Sequence, residues 1–240
     1  MNEILRFENV ASGYDRIRIL NELSFTVTEG EILGVIGPNG SGKTTMLNTL
    51  AGLLRTASGK IFFDGNDITV MAAHSRCRIG IGRTFQIPRP FSEMTVMENV
   101  LVASVHGAGL SRKEAAGISE ECLEMVGLIG RKNEKAGVLT LLDCKKLELA
   151  RAAATGAKLL LLDEVAAGLT EAEIEDITGL VSGLKEKDLT IIWVEHILDV
   201  MKNSTDRLMC MAEGRNVICG DPKEVIDSDI VQEIYLGGKE

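Results

Sequence analysis

Residues 37–44 read Gly-Pro-Asn-Gly-Ser-Gly-Lys-Thr and match the pattern G-x-x-x-x-G-K-[S/T] in full. Glycines at these positions let the backbone turn its N–H groups inward around a polyphosphate, and a following helix adds the positive end of its dipole. Lys43 is predicted to reach the β- and γ-phosphates, and the Thr44 hydroxyl is predicted to bind Mg²⁺. The predicted nucleotide-binding set is Gly37, Pro38, Asn39, Gly40, Ser41, Gly42, Lys43, Thr44 and Thr45.

Two carboxylates, Asp163 and Glu164, follow a run of four leucines. A buried strand that ends in two acids is costly unless something binds them. Asp163 is predicted to hold Mg²⁺, and Glu164 is predicted to polarise an attacking water as a general base. The alternative is an acidic first turn of the next helix. The phosphate loop upstream favours the magnesium interpretation, because a bound triphosphate already requires a metal partner.

Strands alternate with helices along the chain, which predicts an α/β fold. The apolar run 31–36 ends at the phosphate loop and is typical of a strand buried on both faces of a parallel sheet. The helix after the loop is predicted to continue through Leu54 until Ser58-Gly59 breaks it. Further strands are predicted at 4–10, 23–27, 60–63, 158–162 and 189–194, then a hairpin at 208–218 and a last helix from Pro222.

The middle of the chain, from about 88 to 156, is rich in helix signals. It is interpreted as a helical subdomain inserted into a single domain that spans residues 1–240. Capping boxes open two helices, at Thr95 and at Ser111. The second of these helices is predicted to bury a stripe of Ile118, Cys122 and Val126.

The bulk composition restricts the partners of the protein. A net charge of −9 argues against nucleic acid, whose phosphates demand a basic surface, and against direct docking on anionic lipid. Five cysteines without metal-binding spacing indicate reduced, mostly buried thiols of a cytosolic protein. The start of the chain does not read as a signal peptide. No apolar run approaches the roughly 18 residues of a membrane helix, so a membrane role would require a partner.

Further motifs accompany the phosphate loop and the acidic pair. Residues 82–86 read Gly-Arg-Thr-Phe-Gln, residues 139–143 read Leu-Thr-Leu-Leu-Asp, and His196 follows a predicted strand. Together these motifs resemble the nucleotide-binding domain of ABC transporters over essentially the whole chain. The resemblance implies a P-loop NTPase fold, with an ABC-type core, an antiparallel β subdomain and an inserted helical subdomain.

Within this family the chain is most similar to the ATPases of branched-chain amino-acid importers. The segments that carry this similarity are 82–86, 94–100, 147–152 and 194–196. Such importers contain two related ATPases, and the sequence leaves open which of the two types this chain represents.

The resemblance implies roles that the first two motifs leave unassigned. Tyr14 would stack on adenine, with a core or surface tyrosine as the alternative. Gln86 would contact Mg²⁺ or the attacking water and would face the permease. His196 would contact the γ-phosphate and orient Glu164, with a structural histidine as the alternative.

Residues 139–143 depart from the family pattern Leu-Ser-Gly-Gly-Gln. Thr140 can replace the serine hydroxyl, whereas leucines replace both glycines and Asp143 replaces the glutamine. The resemblance implies that Thr140 and Asp143 start a helix whose N-terminus meets the ATP held by another subunit. The alternative is a helix start that is only structural and no longer binds nucleotide, in which the negative charge of Asp143 in the first turn interacts favourably with the helix dipole. Thr170 is a further departure, since the family usually has an acidic or amide residue there.

The function implied is an ATP-binding and ATP-hydrolysing subunit of an importer for branched-chain or other small amino acids, with ATP and Mg²⁺ as cofactors. It would lie peripherally on the cytoplasmic face of the cell membrane and pair head to tail with itself or with a second ATPase subunit. Dimer closure would move transmembrane permease subunits, with no nucleic acid bound and no membrane insertion of its own. Two alternatives stay open: a weakly hydrolysing, ATP-dependent regulatory or binding module, and a soluble ABC ATPase of DNA repair or translation.

Overall fold

The computed structural model describes residues 2–15 and 17–236, with only the backbone of Leu236. These residues divide into two compact units. The first takes the described residues up to Ala73 and from Thr190 onward, and the second is His74–Leu189. The prediction of one domain with a helical subdomain at about 88–156 stays a prediction.

The strands are β1 (Glu3–Tyr14), β2 (Ile17–Thr28), β3 (Ile32–Ile36), β4 (Thr56–Phe63), β5 (Asn66–Asp67), β6 (Ile81–Arg83), β7 (Leu159–Asp163), β8 (Thr190–Val194), β9 (Arg207–Ala212) and β10 (Arg215–Gly220). The helices are α1 (Lys43–Leu50), α2 (Ala73–Arg78), α3 (Val96–His106), α4 (Arg112–Met125), α5 (Leu141–Ala153), α6 (Glu171–Lys185), α7 (Leu198–Ser204), α8 (Pro222–Ile226) and α9 (Asp229–Leu236). Short 3₁₀ helices lie at Ile129–Arg131 and Ala136–Val138.

The first unit contains an antiparallel sheet in the order β2-β1-β4-β5. Leu5 pairs with Val27 and Phe7 with Phe25, and the two phenyl rings stack with their centroids 4.7 Å apart. Leu5, Phe7 and Val27 are buried because alternate residues of a strand face the same side of the sheet. This sheet is the antiparallel β subdomain that the sequence implied.

Parallel pairing places the phosphate loop at the end of a buried strand. β3 pairs in parallel with β8 and β9, and all five of its residues are buried, as the apolar run predicted. The loop follows directly at the carboxyl end of β3. The predicted hairpin is present as β9–β10 and turns at Glu213 and Gly214, and Gly214 N–H donates to the carbonyl of Ser41 within the loop.

The second unit carries the acidic pair and the helices of the middle segment. β6 pairs in parallel with β7, whose five residues are all buried and which ends at Asp163. The predicted capping boxes are present, because Thr95 and Glu98 exchange hydrogen bonds at the start of α3 and Ser111 and Glu114 do so at α4. These pairs satisfy backbone donors that a helix start would otherwise leave open.

Three sequence predictions are wrong in detail. Ile118 is 37% exposed, because α4 buries the face formed by Ala115, Ser119, Cys122 and Leu123, which excludes it. The helix after the loop ends at Leu50 rather than near Ser58, since Gly52 adopts a left-handed conformation (φ 76°). The last helix is two helices, because the Ser228 hydroxyl accepts from Val231 N–H and starts α9 separately.

The five cysteines are free thiols, with Cys122 and Cys210 buried and the other three half-buried. Burial raises the pKa of Cys122 and of Cys210 to about 11, which keeps both thiols protonated at neutral pH. Within the described residues, none of the helices is long and apolar enough to span a bilayer.

Candidate nucleotide site

The phosphate loop has a backbone that only glycine permits at its first position. Gly37 has φ 149°, and a Cβ there would lie 2.2 Å from the carbonyl oxygen of Met211. Gly40, at φ 82°, has open space where its Cβ would point. The loop is therefore packed against β9 on one side and leaves room on the other, as a cradle for a ligand requires.

Lys43 places its ammonium group inside the loop. Its Nζ donates to the carbonyl of Gly37 at 2.7 Å and to that of Pro38 at 3.1 Å, and the residue is 6% exposed. A phosphate entering the loop would offer charged oxygens in place of these neutral carbonyls, and charge-assisted hydrogen bonds are roughly twice as strong as neutral ones. The lysine therefore stands where phosphate oxygens would bind.

The Ser41 hydroxyl is an unsatisfied donor in the same loop. It is buried, and among the residues that the structure describes it has no hydrogen-bond partner. A buried hydroxyl without a partner is costly, so it favours a ligand that accepts a hydrogen bond. This atom, together with Lys43, fits the predicted polyphosphate.

Asp163 is held by an arginine that the sequence analysis did not assign. Its Oδ2 accepts from Nη2 of Arg83 at 3.1 Å, and the two side chains are 3% and 8% exposed. Its backbone N–H donates to the Thr84 hydroxyl. The guanidinium pairs with the buried carboxylate and orients it. Arg83 and Thr84 belong to the segment 82–86, but nothing in that segment signals which acid they contact.

Each of the predicted magnesium ligands supplies an oxygen atom, which is the kind of ligand that Mg²⁺ prefers. In the second unit Asp163 supplies a buried carboxylate, and in the first unit Thr44 supplies a hydroxyl in the first turn of α1. Gln86, the third predicted ligand, supplies an amide oxygen, because its nitrogen is engaged elsewhere. Bound Mg²⁺ would neutralise charge on the β- and γ-phosphates.

Glu164 contacts the predicted Gln86. Nε2 of Gln86 donates to Oε2 of Glu164 at 2.5 Å. Glu164 has φ 50°, an uncommon conformation for a residue with a side chain, and its carbonyl accepts from Ala167 N–H and from Nζ of Lys145. Such strained positions occur at functional sites, and they persist where neighbouring bonds fix the backbone. The structure therefore brings two of the three predicted catalytic residues together.

Thr140 is the N-cap of α5. Its Oγ1 accepts from Asp143 N–H at 3.2 Å and donates to Oδ2 of Asp143 at 2.9 Å. The helix start predicted at this segment is confirmed, including Asp143 in its first turn. Leu141, at the place of the first family glycine, is 47% exposed.

Tyr14 and His196 lie in the first unit, together with residues 37–45. Tyr14 is 46% exposed, and its hydroxyl accepts from Nδ2 of Asn48 on α1, the helix that follows the phosphate loop. An exposed ring tethered to that helix is compatible with the predicted stacking on a base. His196 is exposed directly after β8 and Glu195.

Tyr235 is a contact to the phosphate loop that sequence reasoning missed. Its hydroxyl accepts from Gly37 N–H at 2.8 Å, and burial raises the pKa of the phenol. The two residues are 198 positions apart, so no local pattern could connect them. The bond joins the C-terminal helix α9 to Gly37, the residue whose carbonyl accepts from Lys43.

Replacing Tyr235 by Phe is expected to lower the free energy of unfolding by about 1–2 kcal/mol, because it leaves the Gly37 N–H without its acceptor. Tyr14→Phe is the matched control, since it removes an exposed hydroxyl whose hydrogen bond contributes less. Urea denaturation of both variants measures the difference. Equal stability of the two variants would show that the bond to Gly37 has no structural weight.

A buried strand that leads into a glycine-rich phosphate loop and a second buried strand that ends in an Asp-Glu pair are typical of P-loop NTPases. The model of the family described as ABC transporter matches residues 20–167. The chain therefore belongs to the ABC transporter family and is an ATPase of that family.

Two relatives and one solved structure resemble the chain over nearly its full length. A probable branched-chain amino acid transport ATP-binding protein LivG of Archaeoglobus fulgidus is 38% identical, over 99% of this chain and 97% of that protein. A lipopolysaccharide export system ATP-binding protein LptB of Acidithiobacillus ferridurans is 31% identical, over 99% and 98%. An ABC transporter ATP-binding cassette solved in its ADP conformation superposes with a TM-score of 0.89 at 33% identity, over 99% and 100%.

Proposed function

We propose that this chain is the ATP-hydrolysing subunit of an importer for branched-chain or other small amino acids. In this proposal two subunits close head to tail around two ATP molecules on the cytoplasmic face of a permease. The observation that carries the proposal is the phosphate loop, in which the Lys43 ammonium donates to the carbonyls of Gly37 and Pro38 and the buried Ser41 hydroxyl has no hydrogen-bond partner among the described residues.

Each predicted site residue has its own role in hydrolysis. Loop N–H groups and Lys43 hold the phosphates, and Thr44 and Asp163 hold Mg²⁺. Glu164 takes the proton of the attacking water as general base. Gln86, which already donates to Glu164, orients that carboxylate and gives up the bond when water arrives between them. His196 contacts the γ-phosphate, and Tyr14 stacks on adenine.

The N-terminus of α5 provides a second set of hydrogen-bond donors for ATP, and its position explains dimer closure. The start of α5, capped by Thr140, faces the γ-phosphate held by the loop of the opposite subunit. ATP then binds the closed dimer better than the open subunits, and this difference in affinity drives closure. Loss of the γ-phosphate removes the bridge and reopens the dimer. The partner is a second copy or a related ATPase subunit.

An apolar surface in the segment after β6 supports a contact with a permease. Phe85, Ile87 and Phe91 are 50%, 67% and 46% exposed. Clustered apolar side chains on a surface mark interaction sites. Since Phe85 and Ile87 flank Gln86, a permease that docks here would transmit motion to the residue that contacts Glu164.

Branched-chain amino acids are the proposed cargo because the LivG protein is more similar to this chain than the LptB protein is, at 38% against 31% identity. The acidic balance of the chain also disfavours the DNA-repair and translation alternative. We place the subunit peripherally at the membrane, where it is held by the permease.

Cysteine cross-linking tests the head-to-tail arrangement. A chain with Asn39→Cys, mixed with a chain with Leu141→Cys, is expected to form a disulfide-linked dimer under mild oxidation only when ATP is present. Both positions are exposed, and the raised pKa values of the native thiols keep those thiols slow to react.

Val70→Cys in place of Asn39→Cys is the matched control, since Val70 is 99% exposed and lies outside the loop. It should give no ATP-dependent product with Leu141→Cys. Cross-linking of Asn39 to Leu141 that does not depend on ATP, or none with ATP, would exclude the head-to-tail arrangement of two copies of this chain.

A further inference from the structure

Asp143 engages the only proton of the Thr140 hydroxyl. Oγ1 of Thr140 donates to Oδ2 of Asp143 at 2.9 Å while it accepts from Asp143 N–H at 3.2 Å. A threonine hydroxyl has one hydrogen to donate, so this proton is not available to a phosphate while the bond persists. In the structure, the carboxylate thus occupies the donor that the proposed function assigns to the nucleotide.

Arg131 binds the same carboxylate oxygen. Its Nη1 donates to Oδ2 of Asp143, and its Nε and Nη2 donate to Oε2 of Glu134 at 3.0 and 2.6 Å. The Arg131 and Asp143 side chains are 33% and 19% exposed, so water screens this pair only in part. The Arg131 guanidinium therefore donates to two carboxylates, those of Glu134 and Asp143, beside the start of α5.

The charge balance at this helix start depends on that single guanidinium. With Arg131 the cluster of Arg131, Glu134 and Asp143 carries one negative charge, and without it the same cluster would carry two. A phosphate that approaches α5 would meet the Asp143 carboxylate within the first turn of the helix. Like charges at such distances repel, and the repulsion opposes the attraction of the helix N-terminus.

We propose that Asp143 competes with the γ-phosphate of the opposite subunit for the Thr140 hydroxyl, and that Arg131 is the positioning residue that relieves this competition. This inference rests on the proposed head-to-tail dimer. Arg131 neutralises the Asp143 carboxylate and remains its hydrogen-bond donor when the threonine hydroxyl turns away, so that the threonine proton can turn to phosphate. The helix start therefore still binds nucleotide despite the Leu-Leu-Asp departure from the family pattern, because Arg131, which lies outside the segment 139–143, compensates for Asp143.

The test measures the dissociation constant of the ATP-bound dimer, for variants made in a Glu164→Gln background that slows hydrolysis. Arg131→Gln is expected to weaken the dimer about tenfold, and Asp143→Asn is expected to strengthen it by up to about tenfold, from the charge removed or exposed near phosphate. Arg131→Gln combined with Asp143→Asn should behave like Asp143→Asn alone, because the guanidinium then has no carboxylate to relieve.

Lys132→Gln is the matched control. Lys132 is the next residue along the chain, it pairs with Glu120 at 2.6 Å, and its loss changes the net charge equally. It should alter the dimer less than about twofold, as an exposed ion pair contributes little. The effect of Arg131→Gln should also shrink at about 1 M salt, where charges are screened within a few ångströms, which a loss of packing would not do.

The outcomes separate this inference from the proposed function. If the Glu164→Gln parent does not dimerise with ATP, either with itself or with a related ATPase subunit, the proposed function fails and this inference fails with it. If the parent dimerises but Arg131→Gln matches Lys132→Gln, or Asp143→Asn weakens the dimer, only the inference is overturned. Asp143→Asn carries the test by itself if Arg131→Gln does not fold, and Arg131→Lys should retain most of the wild-type affinity.

Discussion

Replacing Lys43 by Ala is expected to lower the affinity for ATP by about 100-fold, because hydrogen bonds to a charged group each contribute about 1.5–3 kcal/mol. The Lys43 ammonium lies within the loop on the carbonyls of Gly37 and Pro38, and the phosphates would take their place. Titration of the purified chain with a fluorescent ATP analogue measures the affinity directly.

Two controls isolate the charge of Lys43 from its packing. Lys43→Met keeps an aliphatic stem in the buried position and should lose as much affinity as Lys43→Ala. Lys60→Ala removes an exposed lysine paired with Asp67 and should bind ATP as the wild type does. Undiminished ATP affinity in both Lys43 variants would show that the loop does not hold the phosphates.

Replacing Glu164 by Gln is expected to reduce the rate of ATP hydrolysis by about 10³-fold, within the range that a general base contributes. ATP affinity should stay nearly unchanged, because Lys43 and the phosphate loop hold the phosphates and Glu164 does not. The glutamine amide can still contact Gln86, so the geometry survives while the base is lost. Phosphate release under saturating ATP and Mg²⁺ provides the rate.

Glu171→Gln is the control for this variant, because Glu171 is an exposed acid in the first turn of α6 and should leave hydrolysis unchanged. The same assay decides between the motor and the weakly hydrolysing regulatory module. Background turnover in the presence of the permease, not lowered further by Glu164→Gln, would favour the module. The Asp143–Thr140 contact is the observation that keeps this second function open.

Local features were predictable because their causes are local. The left-handed glycines of the loop, the apolar run of β3 and the capping boxes at Thr95 and Ser111 depend on residues within a few positions of one another. The sequence indicated the right elements for these reasons. It misplaced Ile118, because the face of a helix that is buried depends on the neighbours it packs against.

Contacts between distant segments were not predictable from one sequence. Arg83 reaches Asp163 across 80 positions, Gln86 reaches Glu164 across 78, and Gly37 reaches Tyr235 across 198. Strand pairing creates the first of these, and no periodicity records which side chains a pairing brings together. The sequence also showed that Asp143 departs from the family pattern, but not that Arg131 binds it.

The mass of the Glu164→Gln chain in solution, with and without ATP, tests the central claim most directly. Multi-angle light scattering should report a monomer without nucleotide and a dimer with saturating ATP, because the γ-phosphate bridges the loop of one subunit and the α5 start of the other. If the partner is instead a related ATPase, the dimer forms when that subunit is added with ATP. A chain that stays monomeric at saturating ATP, alone and with such a partner, would contradict the account.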